Sequence, residues 1–135
     1  MRSNFTQMYI HCVWATWDRS PIITPDIREA VYAVIIKECR DLKCQPIAIG
    51  GVSDHIHLLA TFPTTLTIAE LIKQIKGSSS HFINYEIKPN SFFKWQGGYA
   101  AFTVSHESID QLVQYIKHQE RHHRETSLMP DWELI

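Results

Sequence analysis

Two helix-start signals, each set between runs of β-forming residues, dictate the order in which this chain can build its layers. Thr24-Pro25 pairs an N-cap residue with a proline, whose locked φ and missing N–H suit the first helical position. Ile27, Val31, Val34, Ile35 and Cys39 follow at helical spacing to about Lys43. Thr67-Ile-Ala-Glu70 is a capping box, in which the Thr and Glu side chains satisfy backbone N–H groups that the first turn leaves over. Ile68, Leu71, Ile72 and Ile75 continue from it to about Tyr85. Met8 to Trp17 precedes the first helix and is apolar almost throughout, as a strand buried on both faces would be. Between the helices, Pro46 to Ile49 reads as a second strand, Gly50-Gly51 as a turn and His55 to Phe62 as a third strand. Pro89 to Gly98 is a loop carrying Phe92, Phe93 and Trp95, and Tyr99 to Ser105 is a fourth strand. Ser108-Ile-Asp-Gln111 is a second capping box and opens a last helix.

The resulting order, β-α-β-β-α-β plus a terminal helix, predicts an α+β, ferredoxin-like split β-α-β fold: an antiparallel sheet with two helices on one face and the other face open. Gly77-Ser-Ser-Ser80 marks a place where the second helix could bend or break. With 135 residues, 44% of them hydrophobic, the chain is long enough for one real core and too short for two ordinary ones. One domain over residues 1–135 is expected, with the last helix over about 108–124 and a short tail over 125–135. So widely used an architecture does not name a function, and side-chain chemistry has to do that.

No stretch nears the length of a secretory apolar region or a membrane span, which points to a cytoplasmic protein with no membrane contact. Cys12, Cys39 and Cys44 are odd in number and spaced for neither a disulfide framework nor a Cys-x-x-Cys metal site, so they read as free thiols in or near the core. A formal net charge of −1 counts against a nucleic-acid partner, because phosphate contacts draw on Lys and Arg. The charge is unevenly spread, however. Lys73, Lys76, Lys88 and Lys94 lie in a stretch with only Glu70 and Glu86 against them, and Lys117, Arg121 and Arg124 share the last helix with His118, His122 and His123. A local basic surface needs no basic protein, although ordinary solvated faces would look the same.

Chemistry concentrates at two places. His55 and His57 alternate along the third strand, so both imidazoles point to one face and can chelate one ion. In the last helix Ile109, Leu112, Val113 and Ile116 make the packing stripe, with Tyr115 and Gln119 at its edge, stacked one turn apart. Whatever Gln119 binds is then within reach of the Tyr115 phenol. Each half has a plain alternative: two hydrogen-bonded strand histidines, a tyrosine covering the margin of a core, an exposed helix-forming glutamine.

Taken together, these residues resemble the single-tyrosine HUH transposases of minimal insertion sequences, akin to the REP-associated tyrosine transposases. His55-Ile56-His57 is similar to the HUH motif, and Tyr115-x-x-x-Gln119 to the nucleophile and third metal ligand. His11-Cys-Val-Trp14, Gly50-Gly-Val-Ser-Asp-His-Ile-His57, Lys76-Gly-Ser-Ser79 and Trp95-Gln-Gly-Gly-Tyr-Ala-Ala-Phe102 extend the likeness over most of the chain. The resemblance implies a homodimer, in which the tyrosine helix sits on the partner's sheet at least at rest. It also implies attack by Tyr115 on single-stranded DNA at hairpin ends, giving a 5′-phosphotyrosine and a 3′-hydroxyl that later rejoins strands. His55, His57 and Gln119 would hold Mg²⁺ or Mn²⁺; mixed imidazole and amide ligation suits either. Asp54 and His11 are candidates for orienting the histidines from behind. Lys73, Lys76, Ser79, Lys94 and Arg121 are candidate DNA contacts, and Trp95 and Tyr99 could stack on bases or simply pack. Two other readings share these features: a hairpin-binding regulator that does not move DNA, and a small dimeric ferredoxin-like metal protein.

Overall fold

The computed structural model describes residues 3–89 and 91–119. Four strands, β1 (Tyr9–Ala15), β2 (Pro46–Val52), β3 (His55–Thr61) and β4 (Ala100–Thr103), form one sheet in the order β2-β3-β1-β4, every neighbouring pair antiparallel. Among the described residues three α-helices accompany it: α1 (Pro25–Asp41), α2 (Ile68–Phe82) and α3 (Ile109–Lys117). This is the ferredoxin-like α+β arrangement expected from the order of the elements.

One face of the sheet carries the main core. Ile10, Cys12 and Trp14 of β1 and Ile56, Leu58 and Ala60 of β3 pack against Ile27, Val31, Ile35 and Cys39 of α1 and Leu71, Ile72 and Ile75 of α2. The alternation of strand side chains explains the choice, since each of these strand residues has its neighbours on the other face. That face is not open as expected. α3 lies on it, with Leu112 and Ile116 against Ala48 and Leu59 in a second, smaller core, which is consistent with the near-continuous apolar character of the β1 segment.

The local signals resolve unevenly. Thr67 caps α2 as expected, its hydroxyl accepting from the Glu70 N–H at 3.1 Å. The second capping box does not form: a 3-10 turn, His106–Ser108, leads into α3, and the Ser108 hydroxyl meets that of Ser105 at 3.0 Å. α2 passes unbroken through its three serines and ends in a π-helical turn, Ile83–Ile87. Gly50 and Gly51 are not the turn. Both lie in β2, and Ser53 and Asp54 make the reversal into β3. Of the aromatic loop, Phe93 and Trp95 are buried while Phe92 is exposed. All three cysteines are free and buried.

Candidate active site

His55 and His57 of β3 stand on the sheet face that α3 covers, and both are fully buried, as is His11 of β1. Val13 is the residue directly opposite His57 and Leu59 the one opposite His11, so the two histidines are diagonal neighbours on one face. Their rings stack with centroids 5.1 Å apart, and His11 Nε2 lies 2.9 Å from His57 Nδ1. Phe102 of β4 closes the other side of His11. His55 is held by a different partner: its Nδ1 lies 2.8 Å from Asp54 Oδ1, in the hairpin turn, and Arg19 Nε reaches Asp54 Oδ2 at 3.4 Å. Asp54 is itself pinned through its carbonyl, which accepts from Thr16 N at 2.9 Å and Thr16 Oγ1 at 3.2 Å.

α3 and the turn that ends it at His118 bring the remaining side chains. Tyr115 and Gln119 are buried with the histidines. Gln119 Oε1 lies 3.4 Å from His55 Nε2, while its Nε2 donates to the Tyr115 carbonyl at 3.3 Å. The Tyr115 ring stands edge-on to His57 with centroids 6.0 Å apart. The four residues therefore converge within a single chain, with α3 on its own sheet.

The approach depends on a glycine whose sequence context, Gly50-Gly51, suggests a turn. Gly50 is opposite His57 in the β2–β3 register, and a Cβ there would stand 2.2 Å from the Ile116 carbonyl oxygen. Only glycine admits the helix backbone at that point. The available signal was a glycine within an apolar strand run, which marks close backbone approach as well as a turn.

The donor set suits a hard or borderline divalent ion. With Nδ1 of His55 engaged by Asp54 and Nδ1 of His57 by His11, Nε2 is the nitrogen each ring would present to metal, and Gln119 Oε1 already neighbours one of them. A neutral imidazole that ligates through Nε2 carries its proton on Nδ1. Asp54 and His11 Nε2 are acceptors for those protons. Beside Gln119 a cavity of about 410 Å³ opens between α1 and α3, lined in part by Arg28, Tyr32, Gly50 and Lys117. In the sequence Arg28 is one charge among others on the polar side of a helix, with no motif to mark it.

The candidate DNA contacts do not gather at this cluster. Lys73 is exposed on α2, which packs on the opposite face of the sheet. Lys76 donates to the carbonyls of Gln96 and Gly98 at 2.8 and 2.6 Å, and so anchors the loop before β4. Ser79 is corrected: it is fully buried, donates to the Ile75 carbonyl at 2.6 Å and accepts from Trp95 Nε1 at 2.9 Å, and cannot touch a ligand. Trp95 is likewise core. Lys94 is exposed, its ammonium 4.1 Å from the centre of the Trp17 ring, and Tyr99 is exposed too. Arg121, like the expected continuation of the helix to about residue 124 and the tail, lies outside the described residues. No helix among the described residues is long and apolar enough to cross a membrane.

Comparison with known proteins places this geometry in context. A family model described as IS200-like transposase matches residues 4–119. The ISDra2 transposase TnpA of Deinococcus radiodurans is 23% identical over 118 residues, covering 84% of each chain. The transposase for insertion sequence element IS200 of Salmonella typhimurium is 29% identical over 115 residues, 81% of this chain and 74% of that one. Among solved structures, a REP-associated tyrosine transposase bound to a REP hairpin superposes with a TM-score of 0.67 at 17% identity, covering 91% of this chain and 73% of that one.

Proposed function

The chain belongs to the family of IS200-like transposases, and from that membership we propose that it cuts and rejoins single-stranded DNA through Tyr115. The family accounts for the coarse activity, DNA cleavage and strand transfer. The observation that carries the finer reading is the buried cluster in which Tyr115 of α3 and Gln119, just past its end, meet His55 and His57 from β3.

In the proposed reaction the Tyr115 phenolic oxygen attacks a backbone phosphorus. The new O–P bond forms as the bond from phosphorus to the 3′ oxygen breaks. The phenol gives up its proton and the departing oxygen takes one up as a 3′-hydroxyl, so the strand is left as a 5′-phosphotyrosine. Attack by a 3′-hydroxyl on that ester reverses the step and joins strands with no other energy source. A phenol of pKa ~10 is a poor nucleophile at neutral pH, and needs both a base and compensation of phosphate charge. An Mg²⁺ or Mn²⁺ ion bound by His55, His57 and Gln119 would supply Lewis-acid polarisation of the phosphate. Asp54 and His11 would hold the two imidazoles in the ligating tautomer, and Arg28 and Lys117, lining the cavity beside Gln119, would add positive charge along the strand.

The substrate would be single-stranded, with a hairpin as the recognised feature; the relative bound to a REP hairpin supports this choice. The proposed assembly is a homodimer with shared sites. α3 meets the sheet through a small patch, Leu112 and Ile116 on Ala48 and Leu59, and a second copy presents the same patch, so the helix of one subunit could serve the histidines of the other.

The test is incubation with single strands from the flanks of the protein's own gene, with and without Mn²⁺, followed by a denaturing gel. A covalent protein–DNA band that requires metal is expected, and a fully paired duplex of the same sequence should give little. Strands that bind without ever forming the band would overturn the catalytic reading.

A further inference from the structure

The connector between β1 and α1 holds a strained turn in place from two sides. Thr16 N and Thr16 Oγ1 both donate to the Asp54 carbonyl, and the Ile23 N–H donates to the Ser53 carbonyl at 2.9 Å, so the connector grips the β2–β3 turn at two points. On its other side the Trp17 N–H donates to the Lys94 carbonyl at 2.9 Å and the Asp18 N–H to Gln96 Oε1 at 3.1 Å. Between these ties Asp18 and Arg19 are both left-handed, with φ of 56° and 53°. Residues with a Cβ seldom adopt that conformation, and arginine lacks the short polar side chain that lets aspartate tolerate it.

The turn delivers the Arg19 side chain to Asp54. Arg19 Nε lies 3.4 Å from Asp54 Oδ2, while the other carboxylate oxygen, Oδ1, lies 2.8 Å from Nδ1 of the buried His55. The two side chains of the ion pair are 46% and 26% exposed, and pairs open to water add little to stability. Two consecutive left-handed residues cost more than such a pair returns, and strain of this kind concentrates at working sites. What the pair does supply is direction. Thr16 fixes the Asp54 backbone but not its carboxylate, which can still rotate about its side-chain bonds. Held at both oxygens, the carboxylate has a set plane.

We propose that Arg19 is a positioning residue for His55: bound to Asp54 Oδ2, it keeps Oδ1 on the His55 Nδ1–H and so leaves Nε2 unprotonated beside Gln119. With the proton on Nδ1, His55 Nε2 and Gln119 Oε1, 3.4 Å apart, are both acceptors, a pair suited to share a cation. The inference rests on His55 as the metal ligand proposed above and adds the residue that orders its orienting carboxylate.

The experiment uses the whole protein with Arg19→Gly, Arg19→Lys, Asp54→Ala, and Arg19→Gly combined with Asp54→Ala. Glycine suits a φ of 53°, so Arg19→Gly removes the guanidinium while relieving the turn, and it should melt no lower than wild type. The first readout is ¹⁵N NMR of the neutral His55 ring in chelator, where the shifts of its two nitrogens report which one carries the proton. Wild type should hold it on Nδ1, Arg19→Gly should show a mixture of tautomers, and Arg19→Lys, which keeps a cation, should lie between them. The second readout is Mn²⁺ affinity by calorimetry. It should fall roughly three- to tenfold in Arg19→Gly, less than the ~10- to 100-fold expected on losing a ligand's direct partner. Because Arg19 acts through Asp54, the double variant should bind no more weakly than Asp54→Ala alone. A His55 tautomer unmoved by Arg19→Gly, or losses that multiply in the double variant, would overturn the proposal and leave the metal reading standing. If wild type binds no Mn²⁺, the metal reading falls, and the tautomer measurement still decides what Arg19 does.

Discussion

Gly50 in β2 lies directly beneath the backbone of Ile116 in α3, so closely that a Cβ at position 50 would stand 2.2 Å from the Ile116 carbonyl oxygen. Gly50 is also the register partner of His57. Since Tyr115 precedes Ile116 and Gln119 is three residues on, this one close approach sets how the tyrosine helix meets the histidines.

Gly50→Ala should therefore lift α3. Forcing a methyl into a packed contact costs about 1–3 kcal/mol, which urea unfolding would register. DNA cleavage should fall ~10- to 100-fold, because misplacing reacting groups by a fraction of their spacing is enough to do so. An alanine variant with wild-type stability and activity would mean that α3 does not dock there.

Asp54→Ala and His11→Phe remove the groups behind His55 and His57 without touching the Nε2 atoms proposed to hold metal. Each should weaken Mn²⁺ binding, measured by calorimetry, by ~10- to 100-fold, the usual effect of losing a ligand's orienting partner. His11→Phe keeps a ring against Phe102, so its loss should reflect the hydrogen bond more than packing. Unchanged affinity in both would detach these residues from metal binding.

The cysteines predict an alkaline limit. Burial, reinforced by neighbouring cysteines, pushes the Cys12 thiol up to about 12, and burial with Cys44 and Glu38 nearby does the same for Cys39. An unfolded thiol titrates near 9.0, so the folded state holds these protons more tightly. Stability from this source is complete below that value and is lost as pH rises through about 12. Melting temperatures should fall over this window, less steeply in Cys12→Val. Thiol reagents at neutral pH should find the native protein nearly silent and the unfolded one reactive.

The proposal of shared sites makes a further prediction. Mixing His57→Ala with Tyr115→Phe under conditions that allow subunit exchange should restore cleavage well above either parent, since one site then combines intact histidines with an intact tyrosine helix. No recovery, with exchange confirmed independently, would mean that each chain completes its own site, as the single chain does here.

Much of this was legible in the sequence because the signals were local. Helix starts at Pro25 and Ile68 and strand alternation at His55 and His57 depend on near neighbours, and those elements formed where expected. What was not legible depended on a distant segment. Gly50 looked like a turn because the reason for a glycine there is Ile116, far along the chain. Ser79 looked like a surface hydroxyl because Trp95, which buries it, arrives from the loop before β4. Ser108 had a capping-box pattern, but Ser105 competed for its hydroxyl. Arg28 carried no motif, since only the docking of α3 turns that side of α1 into the wall of a cavity.

The most direct test of the central claim is to find the atom that carries the DNA. The protein is incubated with its flanking single strand and Mn²⁺, digested with protease and nuclease, and the nucleotide-bearing peptide is sequenced by mass spectrometry. The expected result is a nucleotide on the Tyr115 phenol, and no adduct in a folded Tyr115→Phe variant that still binds DNA. A nucleotide on any other residue, or an adduct that survives Tyr115→Phe, would contradict the assignment of Tyr115 as the nucleophile.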